Sequence, residues 1–136
     1  MLLKLSKGTY KVNIKAKTNL NGIMKVTTYK NTGGKINYLA DENYGETQVA
    51  VTKDKTYTFT ITVPKEGQYL IDSYITPYGN DYIKPETKIK DKNGKTVATL
   101  KSGGSGNAET TLKKGTYTID VAVEKTGILS LQLYAY

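Results

Sequence analysis

Apolar and polar residues alternate with a period of two along most of this chain. The cleanest run is Tyr57, Phe59, Ile61 and Val63, with a threonine at each position between. Tyr117, Ile119, Val121 and Val123 repeat the pattern against Thr118, Asp120 and Ala122. Such a period sends one set of side chains to a buried face and the other to solvent, as half-buried strands require. The same reading predicts strands over Tyr10–Ala16 (Tyr10, Val12, Ile14 and Ala16 inward), Ile23–Tyr29, Ile36–Ala40, Thr47–Val51, Tyr69–Tyr74, Lys88–Asp91, Thr96–Leu100 and Ile128–Tyr136. No segment keeps a 3.6-residue period over the ~11 residues of an average helix. Turn signals punctuate the runs: Asn21-Gly22, Gly33-Gly34, Lys53-Asp54-Lys55, Asn93-Gly94, Ser102–Gly106 and Lys125-Thr126-Gly127. Asp91-Lys92-Asn93-Gly94 reads as a type I′ hairpin, residues 41–45 as a polar loop, and residues 75–86 as irregular. The expectation is an all-β protein, an antiparallel β-sandwich of jelly-roll or Greek-key type with about ten short strands.

A short motif organises these strands. Leu5-Ser6-Lys7-Gly8-Thr9-Tyr10 near the start matches Leu112-Lys113-Lys114-Gly115-Thr116-Tyr117 near the end, and Lys65-Glu66-Gly67-Gln68-Tyr69 is a looser copy. Glycine permits the positive φ that a turn into a strand often needs. The tyrosine two residues on resembles a tyrosine corner, in which the phenol bonds back to upstream backbone. The likeness extends further, since Gly22-Ile23-Met24-Lys25-Val26 parallels Gly127-Ile128-Leu129-Ser130-Leu131. Residues 5–29 and 112–134 are thus related head and tail hairpins. Two arrangements are compatible with the repeat: equivalent hairpins within one sandwich spanning residues 1–136, or a head that is the tail of a preceding module in a tandem array. The sequence favours the single domain, because residues 30–63 need strand partners and the head hairpin is the nearest. The Ser102–Gly106 stretch reads as a natural flexible loop rather than an engineered join.

Composition narrows the chemistry. The 136 residues contain no Cys, no His and no Trp, and every basic residue is Lys. Disulfides, thiolate zinc sites and cysteine nucleophiles are therefore excluded, and the commonest general base and metal ligand are missing. The net charge of +8 attracts acidic polymers. Base-edge and phosphate recognition, however, favours the planar fork of Arg, so nucleic acid is not an expected partner. The lysines are scattered over turns and outward strand positions, where they protect sheet edges. No stretch approaches the ~20 apolar residues of a membrane span, so no membrane insertion is expected. Met1-Leu2-Leu3 is followed at once by Lys4, so no secretion leader is read, and the chain reads as a mature or excised piece of a larger protein.

From about Tyr57 onward the chain resembles the bacterial prepeptidase C-terminal domain. The resemblance rests on Phe59-x-Ile61-x-Val63-Pro64-x-x-Gly67-x-Tyr69, Asp91-x-Asn93-Gly94-x-x-Val97-Ala98, Leu112-x-x-Gly115-Thr116-Tyr117-x-Ile119 and the closing Leu129-x-Leu131-x-Leu133. The head, together with Lys55-Thr56-Tyr57-Thr58-Phe59-Thr60, is also similar to jelly-roll carbohydrate-binding modules. The acidic Asp-x-Asp segment that usually opens the prepeptidase-type domain is not visible. The resemblance implies an extracellular or cell-surface accessory domain without catalysis, attached to secreted enzymes or surface proteins.

Tyrosine is the unusual residue, 12 copies against a single Phe. Tyr10, Tyr57, Tyr69 and Tyr117 are in register with strands and read as core or corner. Tyr74, Tyr78 and Tyr82 crowd one irregular loop with Asn80 and Asp81, and Tyr38 and Tyr44 flank another. A sugar is held by an aromatic ring on its C–H face plus amide and carboxylate hydrogen bonds to its hydroxyls. Tyr74, Tyr78, Asn80, Asp81 and Tyr82 are therefore the candidate patch for a polysaccharide or glycan, set against loop tyrosines merely folded over the sandwich end. No cofactor is expected. A structural calcium has candidate oxygen ligands in Asp41, Glu42 and Glu46 or in Asn80 and Asp81, whereas Asp91 and Asn93 serve their hairpin. Glycoside hydrolysis needs two carboxylates ~5–9.5 Å apart, and the acidic residues fall in turns or outward positions, so no enzyme is expected. The alternative reading is a structural spacer or adhesion module contacting a protein partner or an anionic cell-wall polymer.

Overall fold

The computed structural model describes residues 5–6, 8–13, 15, 27–34, 36–38, 44–77, 82–104 and 107–135. They hold nine strands and no helix: β1 (Asn37–Tyr38), β2 (Tyr44–Val51), β3 (Lys55–Val63), β4 (Gly67–Thr76), β5 (Glu86–Lys90), β6 (Thr96–Leu100), β7 (Ala108–Leu112), β8 (Gly115–Val123) and β9 (Gly127–Ala135). These form two antiparallel sheets, one ordered β1-β2-β9-β4-β7 and the other β3-β8-β5-β6. The expected antiparallel sandwich is what the chain forms.

The alternation sets which face is buried. Phe59, Ile61 and Val63 of β3 and Ile119, Val121 and Val123 of β8 line the inner face of the four-stranded sheet. Tyr69, Ile71 and Ile75 of β4 and Leu129, Leu131 and Leu133 of β9 line that of the five-stranded sheet. Within this slab Ser73 of β4 and Thr87 of β5 join their hydroxyls across the two sheets at 2.7 Å, both fully buried. Each satisfies a polar group that would otherwise be costly to bury.

Most connections cross from one sheet to the other, including the last. β8 pairs with β3 and β5, whereas β9 pairs with β2 and β4. The tail is therefore an arch and not a hairpin: its strands face each other through the core and supply an interior strand to each sheet. Both strands present an unbroken apolar face, and in this arrangement each is covered by the opposite layer. The β2–β3 arch stacks on this one, with Asp54 N–H donating to the Val123 carbonyl at 2.8 Å and Lys53 N–H to Thr126 Oγ1 at 3.1 Å. Asp54 takes the left-handed conformation (φ 60°) that a tight crossing demands.

Two tyrosine corners hold the arches at the other end. Tyr69 O–H donates to the Lys65 carbonyl at 2.9 Å, and Tyr117 O–H to the Lys113 carbonyl at 3.1 Å. Tyr57 fastens the β2–β3 crossing in a related way, accepting from Thr52 N–H at 2.9 Å. Gly115 enters β8 with φ 155°, while Gly67 needs no positive φ. The Asp91–Gly94 turn is a hairpin between β5 and β6, with Gly94 alone at positive φ (79°). Type I′ requires positive φ at both central residues, so the turn is not of that type. Asp91 Oδ1 accepts from Asn93 N–H and Lys95 N–H, which does the work of a second left-handed residue.

Other expectations need correction. Tyr44 and Gly45 belong to β2 rather than to a polar loop, because they pair with Tyr134 and Leu133. The irregular stretch opens with strand, β4 running to Thr76, and Ile75 and Ile83 form an isolated bridge. The described residues of the head carry no strand, and Tyr10 and Val12 are exposed rather than inward. The interior places that would bury them are filled by β8 and β9. Residues 16–26, with Ala16 and most of the second predicted strand, lie outside the described residues. Residues 30–34 and Ile36 instead close one side of the sandwich. Lys30 O accepts from Ala50 N–H of β2, and the Gly34 carbonyl and Ile36 N–H bond to Thr60 of β3. These contacts cover two strand edges that would otherwise template further pairing.

Candidate functional site

The outer face of the five-stranded sheet is assembled by register. Successive outward residues on β2, β9 and β4 align in rows: Tyr44, Tyr134 and Leu70; then Glu46, Gln132 and Asp72; then Gln48, Ser130 and Tyr74. The first row carries an aromatic pair in contact, Tyr44 and Tyr134, with ring centroids 4.8 Å apart and planes tilted by 44°. The third row ends in a second pair, because Tyr82 lies edge-on to Tyr74 at 6.0 Å. From Leu70 to Tyr74 the strand advances about 13 Å, so two aromatic platforms bracket a polar middle row.

The polar groups are held in place. Glu46 accepts from Tyr44 O–H at 2.7 Å and from Gln48 Nε2 at 3.1 Å, and Tyr134 O–H donates to Gln132 Oε1 at 3.0 Å. Burial, followed by the hydrogen bond to the Glu46 carboxylate, holds the Tyr44 phenol well above the usual tyrosine range, so it remains a donor. Asp72 is ion-paired with Lys84, both largely buried. The Lys84 ammonium lies 5.6 Å from the Tyr74 ring centroid and 5.9 Å from that of Tyr82. One cation thus ties the carboxylate and both rings into a unit. Tyr82, 65% exposed, also borders a cleft of about 480 Å³ lined by Lys84, Ser102, Gly103, Gly104, Glu124 and Lys125, across which Ser102 Oγ donates to Glu124 Oε1 at 2.7 Å.

Of the residues named from sequence, the structure brings Tyr74 and Tyr82 together. Tyr78, Asn80 and Asp81 lie outside the described residues. Asp41 and Glu42 do as well, and Glu46 is committed to Tyr44 and Gln48 rather than to a loop. No group of three acidic residues that could hold a metal ion occurs among the described residues. Sequence reasoning missed the Tyr44–Tyr134 platform and the row between. Its members come from three strands, and the only trace in the sequence is that each sits at an outward position of an alternating run.

No family model matches this chain, and no curated protein does. Solved structures do. The prepeptidase C-terminal domain of collagenase from Bacillus anthracis superposes with a TM-score of 0.55 at 18% identity, covering 79% of this chain and 99% of that one. This chain shares its fold. PliG from Aeromonas hydrophila, a periplasmic inhibitor of g-type lysozyme, superposes with a TM-score of 0.57 at 15% identity, covering 79% of this chain and 98% of that one. The resemblance drawn from sequence to the prepeptidase-type domain is thus matched by the arrangement of the strands. No helix among the described residues is long and apolar enough to cross a membrane.

Proposed function

We propose that this protein is a non-catalytic module of a bacterial secreted or cell-surface protein that binds a glycan along the outer face of its five-stranded sheet. The observation that carries this reading is the pair of tyrosine platforms, Tyr44–Tyr134 and Tyr74–Tyr82, on either side of the Glu46, Gln132 and Asp72 row. Sugar rings present C–H faces to the aromatic platforms while carboxylate and amide groups between them meet the hydroxyls. The spacing suits an oligosaccharide lying along the strands better than a single ring. Because Glu46 and Asp72 are already oriented by Tyr44, Gln48 and Lys84, little ordering cost remains when a ligand arrives.

Affinity electrophoresis through gels containing cell-wall and storage polysaccharides tests the reading, with Tyr134→Ala and Tyr82→Ala as variants and circular dichroism to check the fold. Retardation by at least one polysaccharide is expected, weakened about tenfold by either substitution, as the loss of one aromatic contact of ~1.4 kcal/mol gives. It should persist in ~0.3 M salt. Retardation that ignores both substitutions and vanishes in salt would assign binding to the lysine surface and an anionic polymer instead. A second reading, a protein partner on the same face, draws support from the fold shared with a lysozyme inhibitor. Failure of every polysaccharide would favour it.

A further inference from the structure

The segment before Lys30 has the sequence of the closing arch without its surroundings. Val12 corresponds to Ile119, and the two are 63% and 1% exposed; Tyr10 corresponds to Tyr117, and these are 50% and 9% exposed. Thr28, the counterpart of Leu133, is exposed as well. Yet Tyr10 O–H donates to the Ser6 carbonyl at 2.8 Å, the same four-residue step back that Tyr69 and Tyr117 make. The corner is formed, and among the described residues no core lies beneath it. Both interior places are taken by β8 and β9, and Lys30, Gly34 and Ile36 bond along the β2 and β3 edges. The collagenase domain is matched almost whole by 79% of this chain, so that fold is built without about a fifth of it. Still, Tyr10, Val12, Ile14, Met24 and Val26 remain apolar in the sequence where Tyr117, Ile119, Val121, Leu129 and Leu131 form the core. An alternating apolar face of that length has no use in solvent.

We infer that residues 5–29 are the closing arch of a second sandwich, the β8–β9 equivalent of a copy that precedes this one in a tandem array. The partner is a copy of residues 30–111, whose two sheets each lack an interior strand and accept one strand from the head. In the array Tyr10 and Val12 become buried, and each sandwich is completed by residues that follow it directly.

A direct test places a second copy of residues 30–111 ahead of Leu5 in the full chain. Calorimetry is expected to show close to twice the unfolding heat of the natural chain, with hydrogen exchange protecting the added copy. Val12→Lys should then abolish the added heat, while in the natural 136-residue chain the same substitution leaves the melting midpoint unchanged and Ile119→Lys unfolds it. An added copy that contributes no heat and is cleaved by protease would overturn the inference. So would a Val12→Lys change that lowers the midpoint of the natural chain, since the head would then belong to this sandwich. Size-exclusion chromatography of the natural chain should give a monomer, and a concentration-dependent dimer lost with Val12→Lys would assign the head to exchange between copies instead.

Discussion

Removing a single hydroxyl from each tyrosine corner separates local geometry from its support in the core. Tyr69, Tyr117 and Tyr10 make the same backward bond at 2.9, 3.1 and 2.8 Å. Tyr69 is fully buried, Tyr117 nearly so, and Tyr10 half exposed. Tyr69→Phe strips the Lys65 carbonyl of its donor in a place water reaches poorly, at a net cost of about 1 kcal/mol, some of it recovered because the ring edge is no longer polar. Tyr117→Phe should cost more, about 1–2 kcal/mol, since the hydroxyl both donates to the Lys113 carbonyl and accepts from Lys113 N–H at 3.0 Å. Tyr10→Phe should leave stability unchanged, as water replaces the lost hydroxyl. For a domain of this size each 1 kcal/mol lowers the melting midpoint by roughly 4 °C or more. Thermal melts followed by circular dichroism, supported by urea titrations with an unchanged slope, read all three. Equal shifts for Tyr10 and Tyr69 would refute the account, because the bond would then be worth the same whether or not a core lay beneath it.

Three further outcomes are expected. Burial pushes the Tyr69 phenol up, with the Lys65 backbone bond partly offsetting it; the native state therefore keeps a proton that the unfolded chain releases near pH ~10. Stability should be level below that pH and fall above it, less steeply in Tyr69→Phe. The Asp120 carboxyl is held below its usual range by the Lys90 hydrogen bond, burial opposing and Thr58 assisting. Its contribution is present above pH ~4 and lost as the pH falls further, so Asp120→Asn should flatten the acid limb of a pH–stability curve, by less than ~1 kcal/mol for a partly exposed pair. Gly127→Ala would set a Cβ 2.5 Å from the Thr76 carbonyl oxygen and 2.9 Å from Ile75 Cγ2. Pushing β9 off β4 should cost about 1–3 kcal/mol in denaturant titration, and no loss would mean that the two strands sit further apart.

The strands were legible because alternation reports which side chains seek cover. Tyr57 to Val63 and Tyr117 to Val123 could hardly be anything else, and both are strands with those faces buried. Alternation does not report who supplies the cover. That is why Lys125-Thr126-Gly127 reads as a hairpin turn when its strands belong to different sheets, and why Tyr10 and Val12 read as inward when no place is open to them. Half of the candidate face was visible for a related reason. Tyr74 and Tyr82 are close in sequence, so their crowding stands out, whereas Tyr44 and Tyr134 meet only through the β2–β9 register. Glu46, Gln132 and Asp72 share a row for the same cause, and no local pattern announces it.

The placement of β9 has a mechanical consequence. It lies between β2 and β4 with eight residue pairs to each, and both neighbours run antiparallel to it. A force drawing on the chain beyond Ala135 would load these ladders in shear, so the bonds must fail together. A force drawing on the chain ahead of Lys30 would instead peel Lys30, then Gly34 and Ile36, from the sandwich side, one backbone contact after another. A string of such units under tension would lengthen a little at each junction long before any one of them came apart.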